Sequence, residues 1–188
     1  MSAPEASDTP GAGSQGGVTG DVRLREVLAA VRDPEIRVLS IEELGILRAA
    51  RVAPDGAAHV TITPTYVGCP AMDAIRADIR TAVRDAGYPG VRIDTVWSPA
   101  WTTGWIGDAA RAKLRAAGIA PPGGAHRPTG TAPPEGARLL PLAVDRPGCP
   151  RCGAADTTEL TRFGSTACKA LWRCRACGEP FDHFKEHG

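Results

Sequence analysis

The tightest constraint on this chain lies in its last forty residues. Four cysteines stand there as Cys149-x-x-Cys152 and Cys174-x-x-Cys177, with 21 residues between the pairs. Each Cys-x-x-Cys turn brings two thiols within a few ångströms of each other, and two such turns at this spacing match a zinc ribbon. Gly153 and Gly178 follow the pairs directly, as tight knuckle turns require. Four thiolates in a tetrahedron close the coordination sphere, which fits a structural role. A segment of about forty residues has too small a core to fold unaided, so metal binding becomes part of its folding free energy. Zinc is the leading expectation for Cys149, Cys152, Cys174 and Cys177. Rubredoxin-type iron or an iron–sulfur cluster would use the same ligands and stays open. A redox reading of Cys149-Pro150-Arg151-Cys152 fits poorly, because a linker rather than a strand precedes it and a matching second pair exists.

Such a module is an appendage, and the remaining length leaves room for one ordinary domain. Lys and Arg total 22 against 21 acidic residues, a net charge of +1, with no concentrated basic block. Nucleic-acid binding needs clustered cations on one face, so that class is set aside. No stretch approaches the roughly 18 apolar residues that would span a bilayer. The first twenty residues lack the basic and apolar regions of a secretory signal. The expected compartment is therefore the cytoplasm, where paired cysteines serve metal or redox chemistry before disulfides.

Residues 1–20 read as a disordered tail, poor in groups that could bury apolar surface. Their Gly11-x-Gly13-x-x-Gly16 pattern has no preceding strand and is dismissed as a nucleotide motif. Asp21 reads as a helix N-cap, followed by Leu24, Val27, Leu28 and Val31 at helical spacing and stopped at Asp33-Pro34. Strands are expected over 46–52 and 58–65, joined by the turn Pro54-Asp55-Gly56. A second amphipathic helix over 70–86 buries Met72, Ile75, Ile79 and Val83 and ends at Gly87. A third strand over 91–96, a loop with three tryptophans and a helix over 108–117 complete the unit. The order predicts an α+β domain over 21–119, a small sheet covered by helices. Residues 120–148, with seven prolines, read as a linker before the ribbon of 149–188.

Two further thiols invite a role. Cys69 follows a strand and precedes Pro70, which places its sulfur at a helix N-terminus where the dipole favours thiolate. A nucleophile or metal ligand would profit, although a small buried hydrophobe is the plain alternative. Cys168 sits in the ribbon's hairpin, either packed there or positioned for a partner or for metal transfer. No histidine stands in a cysteine-protease setting, and no helix carries Glu-x-x-His, so the chain is not expected to hold a di-iron centre itself. Trp97, Trp101 and Trp105 form either a packed aromatic lid or a partner surface.

The motifs Asp33-Pro34-Glu35, Ser40-Ile41-x-x-Leu44-Gly45-Ile46 and Ile62-Thr63-Pro64-Thr65-Tyr66-x-Gly68-Cys69-Pro70-Ala71-Met72 resemble the iron–sulfur assembly domains that include the SufT-like proteins. Adding the tryptophan loop, Gly118-Ile119-Ala120-Pro121-Pro122, Phe163-Gly164-Ser165-Thr166-x-Cys168-Lys169 and Glu179-Pro180-Phe181, the chain resembles the PaaD (PaaJ) family over residues 21–185. Arg37 departs from that pattern, since relatives often carry an apolar residue or proline there.

That resemblance implies an accessory protein of bacterial phenylacetate catabolism, working beside the oxygenase that epoxidises phenylacetyl-CoA. It implies maturation rather than catalysis: assisting assembly of iron or an iron–sulfur centre in an oxygenase or reductase subunit. Cys69 is then the transient iron or cluster ligand, with Asp33, Glu35, Thr63 and Cys168 supporting it, although Asp33 and Glu35 also suit a plain helix-stop turn. The alternative is a stoichiometric structural or electron-transfer subunit of the oxygenase. A homodimer stays open.

Overall fold

The computed structural model describes residues 15–123 and 146–186. Most of the expected tail and linker, with Gly11, Gly13, His126 and His187, lies outside the described residues. The class is α+β: one helix-covered sheet, followed by a β-ribbon that holds the four clustered cysteines.

Helix α1 spans Gln15–Ala29, beginning six residues before the expected cap. Asp21 does not cap it. Its carboxylate instead accepts the backbone N–H of Val52 at 2.6 Å, tying the helix to the end of strand β1 (Leu47–Val52). Sequence spacing cannot separate these uses, because an Asp before a helical pattern suits either.

After α1, Asp33 Oδ1 accepts the N–H groups of Glu35 and Ile36 at 2.9 and 2.7 Å, which folds the chain back on itself. Ser40 and Glu43 then form a reciprocal capping pair, N–H to Oε2 at 2.9 Å and N–H to Oγ at 3.2 Å. This loop drops Ile36, Leu39, Ile41 and Leu44 into the core.

Strand β1 pairs antiparallel with β2 (Ala58–Ile62) through the Pro54-Asp55-Gly56 turn, and β2 pairs in parallel with β3 (Val91–Thr95). Helix α2 (Ala71–Asp85) makes the crossover between these parallel strands, as a parallel connection requires. Its stripe of Met72, Ile75, Ile79 and Val83 is buried as its spacing predicts. Strand β2 stops at Ile62 rather than Thr65, since Pro64 has no N–H to extend the ladder. The freed residues 63–69 become the loop that carries Cys69. A single 3₁₀ turn (Thr103–Trp105) leads into helix α3 (Asp108–Ala116).

Strand β4 (Ile119–Ala120) leaves α3 and pairs in parallel with β7 (Pro180–Phe184), the last strand of the ribbon. The ribbon's other strands, β5 (Thr157–Thr161) and β6 (Lys169–Cys174), complete a four-stranded sheet in the order β4-β7-β6-β5. Residues 119–120 thus belong to the ribbon's sheet, and the two modules are joined by hydrogen bonds as well as by the chain. Phe184 and Cys168, both ribbon residues, lie in the first module's hydrophobic core.

Candidate functional site

The metal-binding group is built by two matching knuckles. The N–H of Gly153 reaches the carbonyl of Cys149 at 2.9 Å and that of Gly178 reaches Cys174 at 3.0 Å, with both glycines at positive φ. Each turn aims its two sulfurs inward. Cys149 Sγ lies 3.8 Å from Cys177 Sγ and Cys152 Sγ lies 3.6 Å from Cys174 Sγ; all four fall within 4.8 Å of one another. A tetrahedron with metal–sulfur bonds of about 2.3 Å has edges of about 3.8 Å, so the four thiols fit a single tetrahedral ion. The Cys177 N–H points at Cys174 Sγ at 3.5 Å, and hydrogen bonding of this kind brings the Cys174 thiol down to about 7. Among the described residues this is the one group of three or more His, Cys, Asp or Glu donors clustered so closely.

A second group forms around Cys69. Gly68, at φ +82°, turns the loop so that Cys69 stands just before Pro70, the cap of α2, and the Ala71 N–H hydrogen-bonds its sulfur. The expected thiolate is not favoured there. Burial pushes the Cys69 thiol up; the hydrogen bonds from Ala71 N–H and the Thr65 side chain pull it down, and Glu35 and Asp33 add to the rise. The helix terminus is therefore outweighed by burial and two carboxylates.

Those carboxylates face a third contributor. Cys168 is 4% exposed, and its Sγ donates to Glu35 Oε2 at 3.3 Å across the junction between modules. Burial first, with Glu35 and Asp33 adding to it, pushes this thiol up to about 12, against the pull of the Thr166 hydroxyl 3.1 Å away. Tyr66 feels both thiols: burial raises its hydroxyl to about 12, helped by Cys69, Glu35 and Cys168. Lys169, also buried, pairs with Asp182 at 3.0 Å and offsets the charge of Asp33. Asp33 is itself raised by burial, and its two backbone hydrogen bonds show that it shapes the turn as well as facing the site.

Glu35 and Asp33 thus act on both Cys69 and Cys168, and Thr63 is buried close by in sequence. It lines a cavity of about 220 Å³ with Tyr66, Trp97 and Trp101. The tryptophans part company. Trp101, 4% exposed, donates its indole N–H to Leu44 O at 2.8 Å and meets the Phe184 ring at 6.2 Å. It cannot present a surface to another chain, and it receives the ribbon instead. Trp105 lies under the Arg48 guanidinium at 3.9 Å. Trp97 alone of the three is open, at 58%. Sequence reasoning passed over Tyr66, Lys169 and Asp182 as site residues. Tyr66 and Lys169 stand inside the quoted motifs, but their role depends on contacts between distant segments.

Comparison with known proteins agrees with this two-part layout. The PaaD zinc beta ribbon domain matches residues 136–185, and the iron–sulfur cluster assembly protein family matches residues 21–96. A protein of Escherichia coli K12, provisionally named as a component of 1,2-phenylacetyl-CoA epoxidase, is 43% identical over 159 residues, covering 85% of this chain and 88% of its own length. An Fe-S protein maturation auxiliary factor of Porphyromonas gingivalis is 37% identical over 89 residues, covering 47% of this chain and 84% of its own. A solved DUF59 domain from Bacillus anthracis shares the fold, with a TM-score of 0.51 and 24% identity over 54% of this chain and 97% of its own.

Proposed function

Because this chain belongs to the PaaD family of phenylacetyl-CoA epoxidase components, joining an iron–sulfur assembly domain to a zinc ribbon, we propose that it matures the epoxidase rather than catalysing the epoxidation. It assists assembly of iron or an iron–sulfur centre in an oxygenase or reductase subunit. The carrying observation is the contrast between its two thiol groups. The ribbon cysteines form a closed set of four, and a closed set has no position left for exchange. Cys69 stands half-buried at the start of α2, in a loop lined by carboxylates, where a metal would meet an incomplete ligand set. Incomplete ligation suits cargo that must leave again.

On this reading Cys149, Cys152, Cys174 and Cys177 hold zinc. Zinc would supply a redox-inert tetrahedral crosslink, and the four thiols fit it. The protein's own residues do the rest. Gly68 sets the loop and the Ala71 N–H orients the Cys69 sulfur. Glu35 and Asp33 supply negative charge that attracts a cation.

The test is to express the epoxidase components with and without this chain and to measure iron and acid-labile sulfide in each purified subunit. Loss of iron or cluster from one subunit without the chain is expected. Full loading of every subunit in its absence would overturn the maturation reading.

A further inference from the structure

We propose that Cys69 and Cys168 form one anchoring pair for an iron–sulfur cluster in transit, a thiol from each module, with Glu35 holding Cys168 ready between loads. This rests on the maturation reading and adds to it the ligand set and the nature of the cargo.

The surroundings of Cys168 carry the inference. A structural cysteine in a hairpin ordinarily packs as a small hydrophobe. This one gives its S–H to a carboxylate 133 residues away, has the Thr166 hydroxyl at 3.1 Å, and senses Asp33 and Tyr66 besides. Its backbone is fixed on both sides. The Lys185 N–H reaches Cys168 O at 3.0 Å, and Lys169 N–H and Gly164 N–H close the hairpin tip at 3.1 and 2.8 Å. The tip is thus built to present one sulfur across the junction, toward the carboxylates that also face Cys69. Glu35, Asp33 and Tyr66 are the groups common to both thiols.

The spread of the donors argues for the cargo. One tetrahedral ion with bonds of about 2.3 Å holds its donors about 3.8 Å apart. Among the described residues only the ribbon cysteines form a group of three or more donors close enough to hold one ion, and Cys69, Cys168 and Glu35 are not such a group. A cluster, whose irons are separated by bridging sulfides, takes donors at wider spacing. Loading is then a ligand exchange without change of oxidation state. A cluster arriving on small-molecule thiolates gives up two of them. Two S–Fe bonds form to Cys69 and Cys168 as two break, and the departing thiolates carry away the two thiol protons. The reverse exchange delivers the cluster.

The experiment uses the full, zinc-loaded chain under anaerobic conditions, with a glutathione-ligated two-iron, two-sulfide cluster as probe and visible circular dichroism as readout. The native chain should take up the cluster with its zinc content unchanged. Cys69→Ser and Cys168→Ser should each weaken uptake at least about tenfold. Native uptake by Cys168→Ser, with uptake lost in Cys69→Ser, overturns the pair while leaving the maturation reading standing. No uptake by the native chain, or undiminished uptake by Cys69→Ser, overturns both. Should Cys168→Ser lose its fold or its zinc, alkylation mapping of the native chain decides. Cluster must protect both Cys69 and Cys168, and protection of Cys69 alone overturns the pair.

Discussion

At Gly45 the chain leaves the Ser40–Leu44 turn with φ +72°, and a Cβ there would meet the Cβ of Trp105 at 3.1 Å. Backbone sign and space therefore demand glycine together. Gly45→Ala should cost about 1–3 kcal/mol, read as a lower denaturant midpoint; an unchanged midpoint would contradict this reading of the turn. Gly68 differs, since its positive φ is the whole requirement and nothing lies within 4 Å of an added Cβ. Asp33 illustrates the limit of reading residues singly. Its turn-forming use is legible from Asp33-Pro34. That its carboxylate also faces Lys169, in another module, depends on a contact no local pattern encodes.

At the scale of elements, the ribbon is held by its knuckles and by its seat on the first module. The Phe184 ring is fully buried at 1% and sits against Trp101, so its loss to alanine should cost about 3–5 kcal/mol. Strong chelation should unfold strands β5 to β7, since metal ligation is part of their folding free energy. It should also shift the Trp101 indole N–H resonance while the amides of α2 stay protected. An unmoved Trp101 signal would mean that the ribbon does not dock there. His183 gives the same module a pH dependence. Burial lowers its imidazole from 6.5 to about 4, beside the Trp172 ring. Between those values the unfolded chain binds a proton that the folded chain refuses, so this contribution is full above about 6.5 and is lost as pH falls toward 4. His183→Gln, at equal zinc loading, should flatten the fall of stability over that window relative to the native chain. Parallel curves would contradict it.

Over the whole molecule, what the sequence made legible is what repeats at short range. The periods of α2 and β2, the Pro54-Asp55-Gly56 turn and the cysteine knuckles all declare themselves within a few residues. The joining of modules does not. Trp101 reaches Leu44 across 57 residues, and Cys168 reaches Glu35 across 133. A proline-rich stretch before the ribbon reads as separation, yet β4 and Phe184 bind the ribbon back onto the first module. The proposed site thus draws on both modules, with Cys69 from the first and Cys168, bonded to Glu35, from the ribbon's hairpin. The role of Cys69 is tested most directly by complementing cells that lack this chain with Cys69→Ser, then measuring iron and acid-labile sulfide in the purified epoxidase subunits. The variant is expected to melt with the native chain and keep its zinc, yet leave a partner subunit under-loaded. Partner subunits as fully loaded as with the native chain would contradict the account.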